Sequence, residues 1–225
     1  MKTTKILVTI TFLIVWQNAQ GQGFVNLDFE NAAVTPVSGN PGHIVASDAI
    51  LGWTAYLGGN PQTIIGYDTV SLGGAAVFLE DANAPSGGGP LPIQGNYSML
   101  LQGSTASTPT AASIGQTGQI PVNSLSLMFW GYSSDVSFGG QTLSLVVLGS
   151  TPNYNIYGAD ISAFAGQTGQ LLFTAQSGSE DIIDNIQFSP SAVPEPNSFG
   201  LFGLGGLFLA WRYRKVRKGV TRLNG

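Results

Sequence analysis

Residues 124–130, Ser124-Leu125-Ser126-Leu127-Met128-Phe129-Trp130, open with strict alternation of small polar and apolar side chains. A period of two places successive side chains on opposite faces of an extended chain, the signature of a strand with one buried face. Gln141-Thr142-Leu143-Ser144-Leu145-Val146-Val147-Leu148 repeats the pattern a few residues later, and Gly139-Gly140 between them supplies a tight turn. Similar short runs lie at Phe24-Val25-Asn26-Leu27-Asp28-Phe29, residues 75–79, 97–101, 170–175 and 182–188. Gly58-Gly59-Asn60-Pro61, residues 85–90 and Thr151-Pro152-Asn153 punctuate them. No helical period intervenes, so the expected fold class is all-β, a single antiparallel sandwich.

Composition agrees. Charged residues make up 9% of the 225-residue chain, which holds 31 Gly, 12 Pro and no Cys. Gly and Pro cost helix stability, and Ser, Thr and Asn compete for backbone hydrogen bonds. A hydrophobic content of 43% is too high for a disordered linker. Without cysteine there is no disulfide, no thiolate metal site and no thiol nucleophile.

The charges are segregated. The eight basic residues are Lys2, Lys5, Arg212, Arg214, Lys215, Arg217, Lys218 and Arg222, whereas eleven of the twelve acidic residues lie between Asp28 and Asp184. A central region with no Lys or Arg cannot neutralise phosphates, which excludes nucleic acid as a partner. It also lacks the cations that hold most carboxylate and phosphate ligands. Neutral sugars and calcium remain open.

Both ends read as addresses. Lys2 and Lys5 precede the apolar run Ile6–Trp16, and Ala19 and Gly21 stand at −3 and −1 of a cut before Gln22, the layout of a secretory signal peptide. At the other end, Val193-Pro194-Glu195-Pro196 breaks the chain before an apolar run ending at Trp211. As a helix over 198–211 this run spans about 20 Å, short of a hydrocarbon core of about 30 Å. The cluster Arg212, Arg214, Lys215, Arg217 and Lys218 lets the helix ends snorkel and keeps that end cytoplasmic, with the preceding domain outside. The expected division is a signal peptide over 1–21, a sandwich over 22–190 and a sorting tail over 191–225, containing the transmembrane helix.

The tail resembles the PEP-CTERM sorting signal of Gram-negative bacteria: a Pro-Glu-Pro motif, a short Gly- and Leu-rich membrane run and a terminal basic cluster, in that order. The resemblance implies recognition by an exosortase, transient anchoring in the inner membrane, and release to the cell surface or extracellular matrix, often alongside exopolysaccharide and biofilm. The middle resembles the jelly-roll sandwiches of carbohydrate-binding modules and the galactose-binding-like superfamily. Asn26-Leu27-Asp28-Phe29-Glu30, Gly52-Trp53, Gly95-Asn96-Tyr97-Ser98 and Ile183-Asp184-Asn185-Ile186 carry it. It implies a structural calcium joining the opening and closing strands, with Glu30 and Asp184 as its ligands.

Catalysis finds little footing. His43 is the one histidine and sits in the turn Asn40-Pro41-Gly42-His43. Glu80-Asp81 and Glu180-Asp181 are adjacent carboxylates, which a strand would point to opposite faces, and they read as solvated loop residues. Among the aromatics, Trp53, Tyr56, Tyr67, Tyr132, Tyr154 and Tyr157 sit in or beside turns, with Trp53 and Tyr56 the leading candidate ligand-binding rings, and Trp130, in step with Met128, is expected in the core. The hexamer Gly115-Gln116-Thr117-Gly118-Gln119-Ile120 recurs as Gly166-Gln167-Thr168-Gly169-Gln170-Leu171, read as two similar hairpin-edge turns. The expected protein is a non-enzymatic glycan-binding or adhesive module. The alternative is a structural matrix protein without a specific ligand, and a glycoside-active enzyme ranks behind both.

Overall fold

The computed structural model describes residues 23–84, 89–132 and 134–193. The expected signal peptide, Pro194-Glu195-Pro196, the membrane helix and the basic cluster lie outside them. In chain order the first strands are β1 (His43–Val45), β2 (Thr54–Leu57), β3 (Asn60–Gln62), β4 (Ile64–Tyr67), β5 (Ala76–Asp81), β6 (Tyr97–Gln102) and β7 (Ala112–Gln119). They are followed by β8 (Ser126–Gly131), β9 (Asp135–Phe138), β10 (Gln141–Thr142), β11 (Leu145–Ser150), β12 (Asn155–Asp160), β13 (Thr168–Ala175) and β14 (Glu180–Ser189). One helical turn, α1 (Ala46–Ala49), and a 3-10 turn at Ser162–Phe164 complete the set. No described helix is long and apolar enough to cross a membrane.

The strands form two sheets. One runs β1-β4-β5-β6-β14-β8-β12-β11 and the other β10-β9-β13-β7-β2-β3. All pairings between these strands are antiparallel except β4 with β5. The chain crosses between sheets at β1–β2, β3–β4, β6–β7, β7–β8, β8–β9, β10–β11, β12–β13 and β13–β14, so consecutive strands often face each other across the core. This is the sandwich that the alternation implies, with the jelly-roll-like character that the resemblance implies. Gly58-Gly59 and Gly139-Gly140 both have positive φ at each residue, the geometry of two-residue hairpin turns whose twist matches that of the flanking strands.

The core lies between the sheets. Phe129 meets Phe173 edge-on at 5.1 Å and stacks on Tyr157 at 5.3 Å, while Trp53 tilts against both Phe29 and Phe173. Leu127, Phe129, Met99, Leu101, Val77, Leu79 and Ile183 face inward from the larger sheet. Ile114, Val136, Phe138, Leu171 and Phe173 face them from the smaller one.

Three local expectations change. Residues 141–148 are not one strand: β10 belongs to the smaller sheet and β11 to the larger, with buried Leu143 where the chain changes sheet. Residues 24–29 form no strand, because Asn26 and Phe29 adopt left-handed φ values of 50° and 57°. The Gln116 side chain instead serves as a surrogate strand for that stretch, accepting from Val25 N at 2.6 Å and donating to Val25 O at 2.9 Å. The repeated hexamers are not edge turns. They pair with each other in β7 and β13, with Gly118 opposite Gly169, Thr117 opposite Gln170 and Gln119 opposite Thr168. The echo is thus a local two-fold about the Gly118–Gly169 pair. Each glycine carries an aromatic ring where a Cβ would stand, Phe24 over Gly118 at 3.0 Å and Phe138 over Gly169 at 2.8 Å.

Candidate functional site

Beyond its core face, the larger sheet has a second surface that is also largely covered. On β5, β6 and β14 the alternate residues Phe78, Glu80, Ser98, Leu100, Ile182 and Asp184 point away from the inter-sheet core, yet all are buried. What covers Ser98 and Asp184 is the segment leading into β6. Ile93 N donates to Ser98 Oγ at 2.9 Å, and Gln94 N donates to Asp184 Oδ2 at 3.0 Å. Ser98 Oγ in turn donates to Asp184 Oδ2 at 2.7 Å. Two residues on, Asn96 N and Tyr97 N donate to Glu30 Oε1 at 2.8 and 3.0 Å, and Asn96 Nδ2 donates to Glu30 Oε2 at 3.1 Å.

Glu30 and Asp184 are therefore brought to the same segment, one from the opening stretch and one from the last strand. Asn185 N donates to Asp184 Oδ1 at 2.6 Å, so each of the four carboxylate oxygens accepts at least one hydrogen bond. Calcium takes six to eight oxygen ligands, whereas here the partial positive charge of N–H and O–H groups already faces the carboxylates. Among the described residues no three acidic or histidine side chains converge as a metal site. The donor set fits a hydrogen-bonded clasp and does not fit an oxygen cage. Burial raises the Asp184 carboxyl to about 6, and the nearby Glu30 charge adds to this. The bonds from Ser98, Asn185 and Gln94 pull the other way.

The four adjacent carboxylates are strand residues rather than solvated loop residues. Glu80, Asp81 and Asp181 are buried, and only Glu180 is exposed. As alternation requires, members of each pair point to opposite faces. Asp81 turns toward Tyr67, whose hydroxyl donates to it at 2.6 Å, and Glu80 turns outward beneath Gly89. His43 is half-buried at the start of β1, its Nδ1 3.2 Å from Pro41 O. It lies in a hollow of about 590 Å³, where it is the sole ionisable side chain among the described lining residues.

The segment that covers Ser98 and Asp184 also forms a wall. Pro90, Leu91, Pro92 and Ile93 face Tyr132 and Tyr154 across a groove of about 370 Å³, with Ile182 and Asn153 completing the lining. Tyr132 is 41% exposed and Leu91 79%. Tyr154 is backed by Trp130, with ring centroids 5.3 Å apart and planes within 14°. Trp130 is thus not a core residue. Leu127 and Phe129 take the core face of β8, and Trp130 with Met128 takes the groove face. Alternation had defined the two faces of this strand but not which was which.

Trp53, in contrast, offers no platform. It is 5% exposed, packed between Phe29 and Phe173, with Nε1 donating to Asn26 O at 3.0 Å. Tyr56 lies half-buried on the outer face of the smaller sheet, its hydroxyl accepting from Gln170 Nε2 at 3.1 Å beside a shallow hollow of about 150 Å³. Tyr132 and Tyr154 were each candidate rings, but their pairing was not legible because it joins a loop after β8 to a turn before β12. Only the β8–β12 ladder brings these together, with Gly131 opposite Asn155.

The fold and this groove define an all-β sandwich with an uncharged aromatic cleft on one face. Its chain is an exported one: residues 192–215 match the PEP-CTERM protein-sorting motif, which marks an exosortase-sorted protein with a C-terminal membrane anchor. The motif begins just after the last strand, β14, and Ser126 Oγ donates to Ser191 O at 2.7 Å immediately before it. No curated protein matches the chain in sequence. Among solved structures it is similar to the enzymatically active domain of tailspike protein 4 of bacteriophage CBA120. That likeness has 15% identity and a TM-score of 0.36, over 62% of this chain and 19% of the tailspike chain. It is also similar to the family 11 carbohydrate-binding module of Clostridium thermocellum, solved with a β-1,3-1,4-mixed-linked tetrasaccharide. There the identity is 11% and the TM-score 0.35, over 64% of this chain and 91% of the module.

Proposed function

We propose that the exported domain is a non-catalytic glycan-binding module that acts at the cell surface or in the extracellular matrix after its tail is processed. The observation carrying this reading is the Tyr132–Tyr154 groove. Its described lining holds two tyrosines, an asparagine and apolar residues, with no Asp, Glu, His, Lys or Arg. Sugar rings present apolar C–H faces that stack on aromatic rings, and hydroxyls that pair with amides and phenols. A cleft with exposed rings and no ionisable acid or base suits binding of a neutral saccharide better than its hydrolysis, which needs two carboxyl groups flanking the bond.

The route we propose from the two ends of the sequence is cleavage of a signal peptide over 1–21, passage across the inner membrane of a Gram-negative cell, anchoring by the apolar run 198–211, and cutting by the exosortase near Pro194-Glu195-Pro196. An exopolysaccharide of the biofilm is the ligand class that this destination offers. The test is native electrophoresis of the purified chain through gels carrying a soluble β-glucan, a mannan, a galactan or the host's own matrix polysaccharide. Retardation by at least one, lost in Tyr132→Ala and Tyr154→Ala, is expected. Unretarded migration in every gel favours the structural-matrix alternative.

A further inference from the structure

Glu80 stands apart from the other carboxylates. It has no exposed surface, and among the described residues neither of its oxygens has a hydrogen-bond partner. The backbone at Gly89 packs directly on Oε2, leaving no room for a Cβ. Across β6 it faces Ser98, whose hydroxyl is already committed to Asp184. From the β4–β5 connection comes Asp68, whose N–H donates to Leu79 O at 2.9 Å beside Glu80, and from β14 comes the charge of Glu180. On its own strand, Asp81 points to the opposite face. No Lys or Arg exists between Ile6 and Trp211 to balance any of these charges. An ionised Glu80 would be a buried anion with neither donor nor counter-charge, among the costliest arrangements a protein interior can hold.

We propose that the Glu80 carboxyl is a pH-sensitive seat for the groove wall: Gly89–Ile93 rests on it while it is protonated and is displaced when it ionises. Gly89 leads directly into Pro90–Ile93, so whatever moves Gly89 moves one side of the groove. The far end of the wall stays fixed by Gln94 on Asp184 and Asn96 on Glu30. Burial first, then the charges of Asp68 and Glu180, raise the Glu80 carboxyl from 4.5 to about 8. The sign follows from linkage: a carboxyl raised in the fold keeps its full stabilising effect below its unfolded value and loses it as pH rises through the folded one. The wall is therefore held most firmly in acid and loosens progressively as the pH rises toward about 8.

This inference rests on the proposed groove only for its effect on binding, because wall release is readable without ligand. The experiment is amide hydrogen exchange of the full purified chain from about pH 7 to 9.5, above the range in which Asp184 titrates, corrected for intrinsic rates and read at Ile93, whose N–H donates to Ser98 Oγ. Protection in the wild type should fall by about tenfold per pH unit as the pH approaches 8 and level off above it. In Glu80→Gln, which keeps the size and neutrality of the protonated acid, protection should stay constant. Equal profiles in the two proteins, or constant protection in the wild type, would overturn the proposal. So would restoration of wild-type protection at pH 9 by calcium, which would make Glu80 a cation ligand. A chain that binds no polysaccharide yet shows the Glu80-dependent release refutes the groove's function while leaving the seat intact.

Discussion

Replacing Glu30 by alanine is the sharpest test of how the wall is held. Glu30 accepts three hydrogen bonds, two from backbone N–H groups of Asn96 and Tyr97 and one from the Asn96 amide. A hydrogen bond to a charged acceptor contributes about 1.5–3 kcal/mol. The Asn96 groups are solvent-accessible and can turn to water, so the Tyr97 N–H carries most of the loss. The expected cost is roughly 2–3 kcal/mol, which in a domain of this size lowers the melting temperature by about 5–10 °C. Glu30→Gln keeps an acceptor oxygen for the backbone and should lose about half as much. Thermal and urea unfolding of the purified variants measures this. Because the clasp is made of N–H donors, EDTA should leave the wild-type melt unchanged. A Glu30→Ala melt within about 1 °C of wild type would refute the reasoning. An EDTA shift as large as the mutation's, reversed by calcium, would refute it in the other direction and restore the metal reading.

Two further outcomes follow from the same architecture. Gly169→Val should displace the Phe138 ring, now 2.8 Å from the position of a Cβ, and destabilise the domain by about 1–3 kcal/mol in urea titrations. The symmetry-related Gly118→Val, against Phe24 near the start of the described chain, should cost less. Changing Pro194, Glu195 and Pro196 together to alanine should leave the exported chain at full length in the membrane fraction on immunoblots, with the domain still resistant to protease. Normal release of that variant would mean that the motif does not direct processing.

Much of the fold was legible because alternation and turn chemistry are local. Gly58-Gly59 and Gly139-Gly140 announce their hairpins, and the runs at 97–101, 170–175 and 182–188 fall within β6, β13 and β14. What alternation cannot give is which face of a strand looks at which neighbour. β8 is a central strand whose second face is also partly covered, so Leu127-Met128-Phe129-Trp130 is apolar on both sides and the assignment of Trp130 to the core was a choice of parity. The split of residues 141–148 between sheets was hidden because Leu143 stays buried through the crossing and the run reads as unbroken. The convergence of Glu30 and Asp184 was legible through the resemblance to jelly-roll modules, but their donors come from residues 94–98, which no pattern linked to them. Burial of Glu80, Asp81 and Asp181 ran against the usual exposure of acids. For Glu80 it depends on the segment from Gly89, which covers the outer face, and for Asp81 on the Tyr67 hydroxyl at the opposite face.

The account stands most directly on where a saccharide touches the domain. Aromatic proton–carbon NMR spectra of the purified chain, titrated with a polysaccharide that retards it in native gels, read this without any mutation. The groove predicts saturable shifts of the Tyr132 and Tyr154 ring signals, a smaller response at Trp130 behind them, and none at Tyr56. Shifts confined to Tyr56, or spread evenly over all rings, would contradict it.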